Sequence, residues 1–363
     1  MLSSPTLLLN KEVAIANIKR MAAKAKASEA VFRPHFKTHQ SAEVGSWFRD
    51  FGVDCITVSS LKMAYYFADG GWNDITLAFP VNIREWQQTD ELAGKINLNI
   101  LVENIEAVSF LEEKLSNPVG VFIKVDTGYG RTGIDAVNFD AFQILLEQLK
   151  KSRKLIFMGF LAHAGNTYHA GSVDEIKEIK KSSVAKLMAL KTFLRTDFPL
   201  LQLSYGDTPS CSVCNDFSDV DELRPGNFVF YDEMQCRLGV CSREDVAVAM
   251  ACPVVAKHPE RHEIVIHGGA VYLSKESITD KNGDKYFGTV VALDGYSWDV
   301  KNVLGKVTGL SQEHGIVNMP DTDVFDKLNV GDMVAVIPVH SCLTANLMMG
   351  YVTTSGERIG TMV

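Results

Sequence analysis

No stretch of the 363-residue sequence approaches the ~20 consecutive apolar residues that a membrane-spanning helix needs. Basic residues are the scarcer charge, with 36 Lys and Arg against 44 Asp and Glu and a formal net charge of −8. A phosphate-binding surface needs the opposite balance, so nucleic acid is excluded as a partner. Cysteines are few and odd in number, seven at irregular spacing, which is no disulfide framework and is expected of a chain in a reducing cytoplasm. Met1-Leu2-Ser3-Ser4-Pro5 lacks both the basic start and the apolar core of a secretory signal. No segment repeats and none is of low complexity.

What is present is an ordinary globular composition, 46% hydrophobic and 22% charged. The length favours two domains, of which an α/β barrel alone can use about 250 residues. Apolar strand patterns fall at residues 31–36, 55–59, 75–79, 98–102, 119–125, 155–162, 200–203 and 227–231. Helical patterns lie between them at 41–51, 60–68, 105–114, 139–150 and 173–194, and another precedes them at 11–27 with Asn10 as a cap. The connection from Asp207 to Pro225 is too polar and broken to read as a helix. Near-continuous apolar strands alternating with helices predict a parallel sheet, here an α/β fold closed as a (β/α)8 TIM barrel, with an open doubly wound sheet as the alternative. After about residue 240 the helical period disappears. Runs at 246–256, 263–266, 289–293, 303–310 and 333–339, separated by turns such as Lys281-Asn282-Gly283-Asp284, predict a mainly β domain. The expected division is 1–237 and 238–363, with the first few residues free to join the β domain.

Barrel enzymes build their sites from the loops after each strand. The first strand runs into Arg33-Pro34-His35-Phe36-Lys37-Thr38-His39-Gln40, where Pro34 has no N–H to give to a ladder. Lys37 is therefore expected at the barrel mouth, with Phe36, His35 and His39 as an apolar pocket in which its amine can lose a proton and attack a carbonyl. The fifth strand ends in Asp126-Thr127-Gly128-Tyr129-Gly130-Arg131-Thr132-Gly133. Its glycines match the dinucleotide fingerprint literally, but no helix opens at the third, and the next strand ends in Ala162-His163-Ala164-Gly165 rather than at an acidic residue. The sixth strand leads into His163-Ala164-Gly165-Asn166-Thr167-Tyr168-His169, a cluster of ligand-binding side chains. The seventh strand ends in Ser204-Tyr205-Gly206-Asp207-Thr208 and the eighth begins Leu223-Arg224-Pro225-Gly226-Asn227, and their small residues and exposed N–H groups suit a phosphate held by Thr208, Gly226 and Asn227.

In the second domain, Pro338-Val339-His340-Ser341-Cys342 places an imidazole and a thiol two residues apart. In an extended segment both point to one side and can share a metal. Two protein ligands leave positions open for water and substrate, and the donor softness favours Zn2+ over Mn2+ or Mg2+. Cys211-Ser212-Val213-Cys214 has metal spacing without a second pair, and His262 and His267 are five apart on a strand pattern, so neither is a metal motif. His314 is a further candidate to reach the site from the β domain.

Taken in order, Pro34-His35-Phe36-Lys37-Thr38-His39, the Arg131 loop, the His-Ala-Gly segment, the Arg-Pro-Gly element and His340-Ser341-Cys342 resemble the D-serine dehydratase and D-threonine aldolase family, pyridoxal-phosphate enzymes of alanine racemase-like fold. The resemblance implies a pyridoxal 5'-phosphate cofactor bound to Lys37 as a Schiff base, with Arg131 contacting its ring at either the nitrogen or the phenolate oxygen. It also implies that His163, Tyr168, Ser204, Thr208, Gly226 and Asn227 contact the cofactor, and that His340 and Cys342 hold zinc. D-threonine aldolases usually carry an aspartate where this chain has Cys342, which favours elimination of a β-hydroxyl over retro-aldol cleavage. The implied activity is a lyase converting a D-β-hydroxy amino acid to a keto acid and ammonia, in a homodimer. D-threonine aldolase, an amino acid racemase and a non-enzymatic cofactor carrier are the alternatives.

Overall fold

A computed structural model describes residues 2–362. The chain divides into two compact units: Lys19–Lys37 with Phe48–Gly226, and the remainder, comprising the residues up to Ile18, Thr38–Trp47 and Asn227 onwards. The division falls between Gly226 and Asn227, eleven residues before the 237/238 expected, and near the N-terminus the chain passes between the two units more than once.

The first unit is the expected barrel. Its strands are Val31–Phe32, Ile56–Val58, Asp74–Pro80, Asn97–Val102, Val119–Asp126, Leu155–Ala162, Gln202–Tyr205 and Glu222–Leu223. They form one parallel sheet in which Val31–Phe32 pairs with Glu222–Leu223 and Ile56–Val58 is the far edge. An isolated parallel bridge between His35 and Thr57 joins those edges, with Phe36 N–H donating to Thr57 O and Thr57 N–H to Pro34 O, both at 2.9 Å. The sheet is thereby closed. Its long strands are apolar on both faces because both are covered, and all but the last residue of Val119–Asp126 are buried. Four of the intervening helices start at side-chain caps, Ser60, Asn104, Asn138 and Ser172, each accepting an N–H from the first turn.

A buried ionic network ties the barrel together. Arg33, just past the first strand, binds Glu222 on the eighth and Asp74 on the third. Ser204 on the seventh donates to Glu222 at 2.6 Å, and Arg224 donates to Ser204 Oγ and, at 2.6 Å, to Ala162 O on the sixth.

The eighth strand is not where the apolar run suggested. Residues 227–231 form a 3-10 turn at Asn227–Val229, with Phe228, Val229 and Phe230 fully buried. Pairing stops at Leu223 because Arg224-Pro225-Gly226 follows, and Pro225 has no N–H to offer the ladder. A short apolar run reports burial without distinguishing a strand from a turn.

The second unit is built on a nine-stranded sheet in the order Glu263–His267, His314–Asn318, Ser297–Leu310, Gly288–Asp294, Met333–Pro338, Val248–His258, Thr6–Leu9, Gly350–Thr353 and Arg358–Gly360. The N-terminal strand Thr6–Leu9 lies antiparallel to Val248–His258 and parallel to Gly350–Thr353, which buries Leu7, Leu8 and Leu9. Among the described residues no helix is long and apolar enough to cross a membrane.

Candidate active site

Lys37 stands in a turn just beyond the first barrel strand, with an exposed side chain and its N–H donating to His35 Nδ1 at 3.3 Å. Phe36, expected to help wall the amine, belongs instead to an aromatic cluster with Phe48, Phe67 and Trp72 at centroid distances of 4.9, 5.0 and 5.1 Å. His39 is likewise committed elsewhere, buried with Nδ1 accepting from Ser41 N–H at 3.1 Å. Within the barrel unit Lys37 interacts electrostatically with His163. Burial lowers the His163 pKa to about 3, and the positive charges of Lys37, Arg131 and Lys124 add to that against the opposing bond to Gly206. The imidazole is therefore neutral at pH 7. Its Nδ1 lies 2.8 Å from the Gly206 carbonyl, which can only accept, so Nδ1 carries the proton.

The sequence around His163 makes the mouth. The Tyr129 and Tyr168 rings flank it at 6.1 and 6.2 Å. A Cβ at position 165 would come within 2.3 Å of the Tyr129 ring, so only glycine fits. Tyr168 Oη accepts the Thr208 N–H at 3.3 Å. Thr208 opens the short helix Thr208–Val213, in the connection that the sequence left unassigned, and Asp207 caps it by accepting from Ser210 N–H at 2.7 Å. Gly206 packs so closely on the Arg224 backbone that a Cβ would lie 2.7 Å away.

The Arg131 loop is folded by Asp126, whose carboxylate accepts the N–H groups of Gly128, Tyr129 and Gly130 at 2.9–3.1 Å. Gly128, Gly130 and Gly133 have φ of 125°, 74° and 109°, a region side chains disfavour. The third glycine precedes a short strand, Ile134–Asp135, and not a helix, which removes the dinucleotide reading. Arg131 lies 5.1 Å from the Tyr129 ring centroid. The Ser204 hydroxyl, by contrast, is spent on Glu222 and Arg224 inside the barrel.

These residues fit the implied cofactor. The mouth offers an accessible amine, a guanidinium, a neutral imidazole between two tyrosines and a glycine-opened backbone. In addition, Thr127 Oγ1 and Asn166 Oδ1 are buried with no hydrogen-bond partner among the described residues.

In the other unit His340 and Cys342 do come together, but not on a strand. The strand stops at Pro338, His340 is the extended residue before the helix Ser341–Met348, and Cys342 sits in that helix's first turn. The strand-period argument is replaced by a helix start, which brings the two side chains together across its first turn. Burial opposes charging His340, but its bond to Cys342 and its 2.8 Å contact with Glu276 outweigh this and raise its pKa to about 11. An imidazole and a thiol that share a proton have the donor set to share a divalent ion, with Nδ1 already held by Glu276. Thr38, the residue after Lys37, places Oγ1 3.2 Å from Cys342 Sγ. Among the described residues no group of three or more His, Cys, Asp or Glu gathers as a metal cluster.

Asn227, expected at a phosphate, spends its side-chain amide here: Nδ2 donates to Asp232 at 2.6 Å and to Ser341 Oγ at 3.0 Å, and lies 3.5 Å from Cys342 Sγ. Only its backbone remains for the expected role. His314 is exposed at the start of a strand.

Residues 10–233 match the alanine racemase N-terminal domain. The chain belongs to that family. Residues 247–354 match a putative serine dehydratase domain. Across nearly their whole lengths, D-serine dehydratase of Dictyostelium discoideum is 27% identical, covering 96% of this chain and 93% of the relative. The 3-hydroxy-D-aspartate aldolase of Paracoccus denitrificans is 25% identical, covering 99% and 91%. The solved D-threo-3-hydroxyaspartate dehydratase of Delftia sp. HT23 has the same fold, with a TM-score of 0.91 over 99% of this chain and 98% of that one at 24% identity. One solved variant of that enzyme, a cysteine-to-alanine substitution, is described as metal-free. The resemblance read from the sequence and the barrel-plus-β architecture both hold.

Within this alanine racemase-like barrel, sequence reasoning passed over three side chains. Lys124 is buried in the fifth strand, where burial and the Arg224 and Arg131 charges lower its pKa to about 7. A single lysine inside the run Val-Gly-Val-Phe-Ile-Lys-Val was the available signal. Asp232, fully buried, accepts from the Ser341 N–H at 3.0 Å as well as from Asn227. Glu276 orients His340 from 64 residues away, which no local pattern announces.

Proposed function

We propose that this protein is a pyridoxal-phosphate- and zinc-dependent lyase that removes the β-hydroxyl of a D-β-hydroxy amino acid. The chain is a lyase, as its dehydratase and aldolase relatives are. The observation that carries the finer reading is the His340–Cys342 pair: an imidazole and a thiol sharing a proton at a helix start, with Glu276 on the outer nitrogen. A barrel that only interconverts enantiomers has no use for such donors.

Lys37 is the residue for the cofactor carbonyl, and its amine, once released, accepts the substrate α-proton. Arg131 holds the ring, and His163, kept neutral by burial, packs beside it without adding charge. Tyr168 Oη, to which the Thr208 N–H donates, and the N–H groups of Gly226 and Asn227 would be the donors for the phosphate. His340 Nε2 and Cys342 Sγ hold zinc, with Mn2+ or Mg2+ as harder alternatives. When bound, the cofactor supplies an electron sink for the pair left by the broken Cα–H bond, and the metal supplies Lewis acidity at the leaving hydroxyl. Loss of water leaves an enamine that tautomerises and hydrolyses to a keto acid and ammonia.

The aldolase among the relatives supports a second reading, cleavage between Cα and Cβ to glycine. A homodimer in the cytoplasm completes the proposal. The test is a panel of D-serine, D-threonine and 3-hydroxy-D-aspartate with the zinc- and cofactor-loaded protein. Ammonia and keto acid in equal amounts are expected. Glycine with an aldehyde supports the second reading, and neither set of products contradicts both.

A further inference from the structure

Cys236 and Cys241 lie outside the site described above. Cys236 is in the last turn of the short helix Glu233–Arg237, and Gly239, with φ of 71°, follows the C-cap Leu238. Gly239 N–H donates to Cys236 O and Val240 N–H donates to Gln235 O, both at 3.0 Å. Those two bonds form a Schellman turn, which reverses the chain at a left-handed glycine. The next residue is Cys241. The reversal leaves the two sulfurs 3.6 Å apart, and both residues are only partly buried. The two cysteines are thus brought to one place by a local turn encoded in Cys-Arg-Leu-Gly-Val-Cys.

We propose that Cys236 and Cys241 are a site of reversible oxidation that takes a small-molecule disulfide as its partner and closes to an intramolecular disulfide. The sulfurs need to approach from 3.6 Å to about 2.05 Å, a distance that side-chain rotation spans when the backbone already holds the pair. The Cys236 thiolate attacks one sulfur of the external disulfide, whose S–S bond breaks and releases one thiolate. Cys241 then loses its proton and attacks the Cys236 sulfur, releasing the second thiol. The protein gives up two protons and two electrons, and the external disulfide takes both to become two thiols. Their order follows from the environment. The bond to Cys236 and burial both push the Cys241 thiol up, so Cys241 keeps its proton, while the Arg243 guanidinium interacts electrostatically with Cys236. Cys55, Cys211, Cys252 and Cys342 are buried, and Cys236 with Cys241 is the sulfur pair in contact among the described residues.

The experiment uses the full-length protein treated with oxidised glutathione, alkylated with iodoacetamide and digested with trypsin. Trypsin cuts after Arg237, between the two cysteines, so closure appears as two linked peptides that separate on reduction. Loss of alkylation confined to Cys236 and Cys241, with recovery of that linked pair, is the expected result. In Cys241→Ser the second step is blocked, and glutathione is expected to remain on Cys236. Full alkylation of both residues after oxidation, or glutathione retained on Cys236 of the unsubstituted protein with no linked peptides, overturns the proposal.

Discussion

Replacing Glu222 by glutamine tests how the barrel holds its mouth. Glu222 is almost wholly buried and stands against Arg33, which is also buried, while accepting from Ser204 at 2.6 Å. Arg224 Nε lies 3.9 Å away, and Arg224 in turn holds the carbonyl of Ala162, the residue before His163. Burial already lowers the Arg224 pKa to about 10, with Glu222 as the foremost opposing charge. The amide keeps the shape and removes the charge, so two buried guanidiniums lose their shared carboxylate while Arg33 retains only Asp74. Breaking a buried pair from one side costs about 3–5 kcal/mol, a large part of the roughly 5–15 kcal/mol of a typical domain. With a urea m-value of roughly 1–3 kcal/mol per molar, the barrel transition moves down by about 1 M or more. The assay is urea unfolding followed by tryptophan fluorescence, with Glu91→Gln as control, since the Glu91–Lys95 pair is exposed and is expected to leave the midpoint unchanged. An unmoved midpoint in Glu222→Gln, or equal shifts in both variants, refutes the reasoning.

Lys37→Ala is expected to abolish turnover and the visible absorption of lysine-bound cofactor, read by spectrophotometry on the reconstituted protein; retained turnover contradicts its role. His340→Ala should lower zinc affinity at least tenfold in a chelator competition while leaving the visible cofactor absorption in place, and unchanged zinc binding removes the metal assignment. His163→Asn keeps an N–H for Gly206 but cannot take up a proton. In the wild type the folded pKa near 3 lies below the unfolded value of 6.5, so the unfolded chain binds more protons in between. Stability is therefore full above pH 6.5 and falls as the pH drops towards 3, at up to about 1.4 kcal/mol per pH unit from this group. Urea midpoints of the cofactor-free protein at pH 7 and 5 should differ less in His163→Asn, and equal differences count against a neutral buried imidazole.

The barrel was legible because its strands are buried on both faces and its helices announce themselves by period and cap. The placement of Lys37, Arg131 and His163 just past barrel strands was legible because each follows an apolar strand pattern directly. What escaped depends on distant partners. Ser204 reads as a mouth residue until Glu222 claims its hydroxyl, and Asn227 reads as a phosphate ligand until Ser341, 114 residues on, accepts from its amide. The helix Ser341–Met348 was hidden behind an apolar strand because eight residues carry little helical signal of their own. That the first residues could join the β domain was read from the sequence, but the strand Thr6–Leu9 itself was not, because its antiparallel partner, Leu7 with Met250, lies more than two hundred residues later.

The central claim is that one particular amine carries the cofactor. Borohydride reduction of the reconstituted protein followed by peptide mass spectrometry reads it directly. The account predicts the cofactor mass on the peptide containing Lys37. Finding it on Lys124, the buried lysine whose pKa is lowered to about 7, would contradict the account at its root.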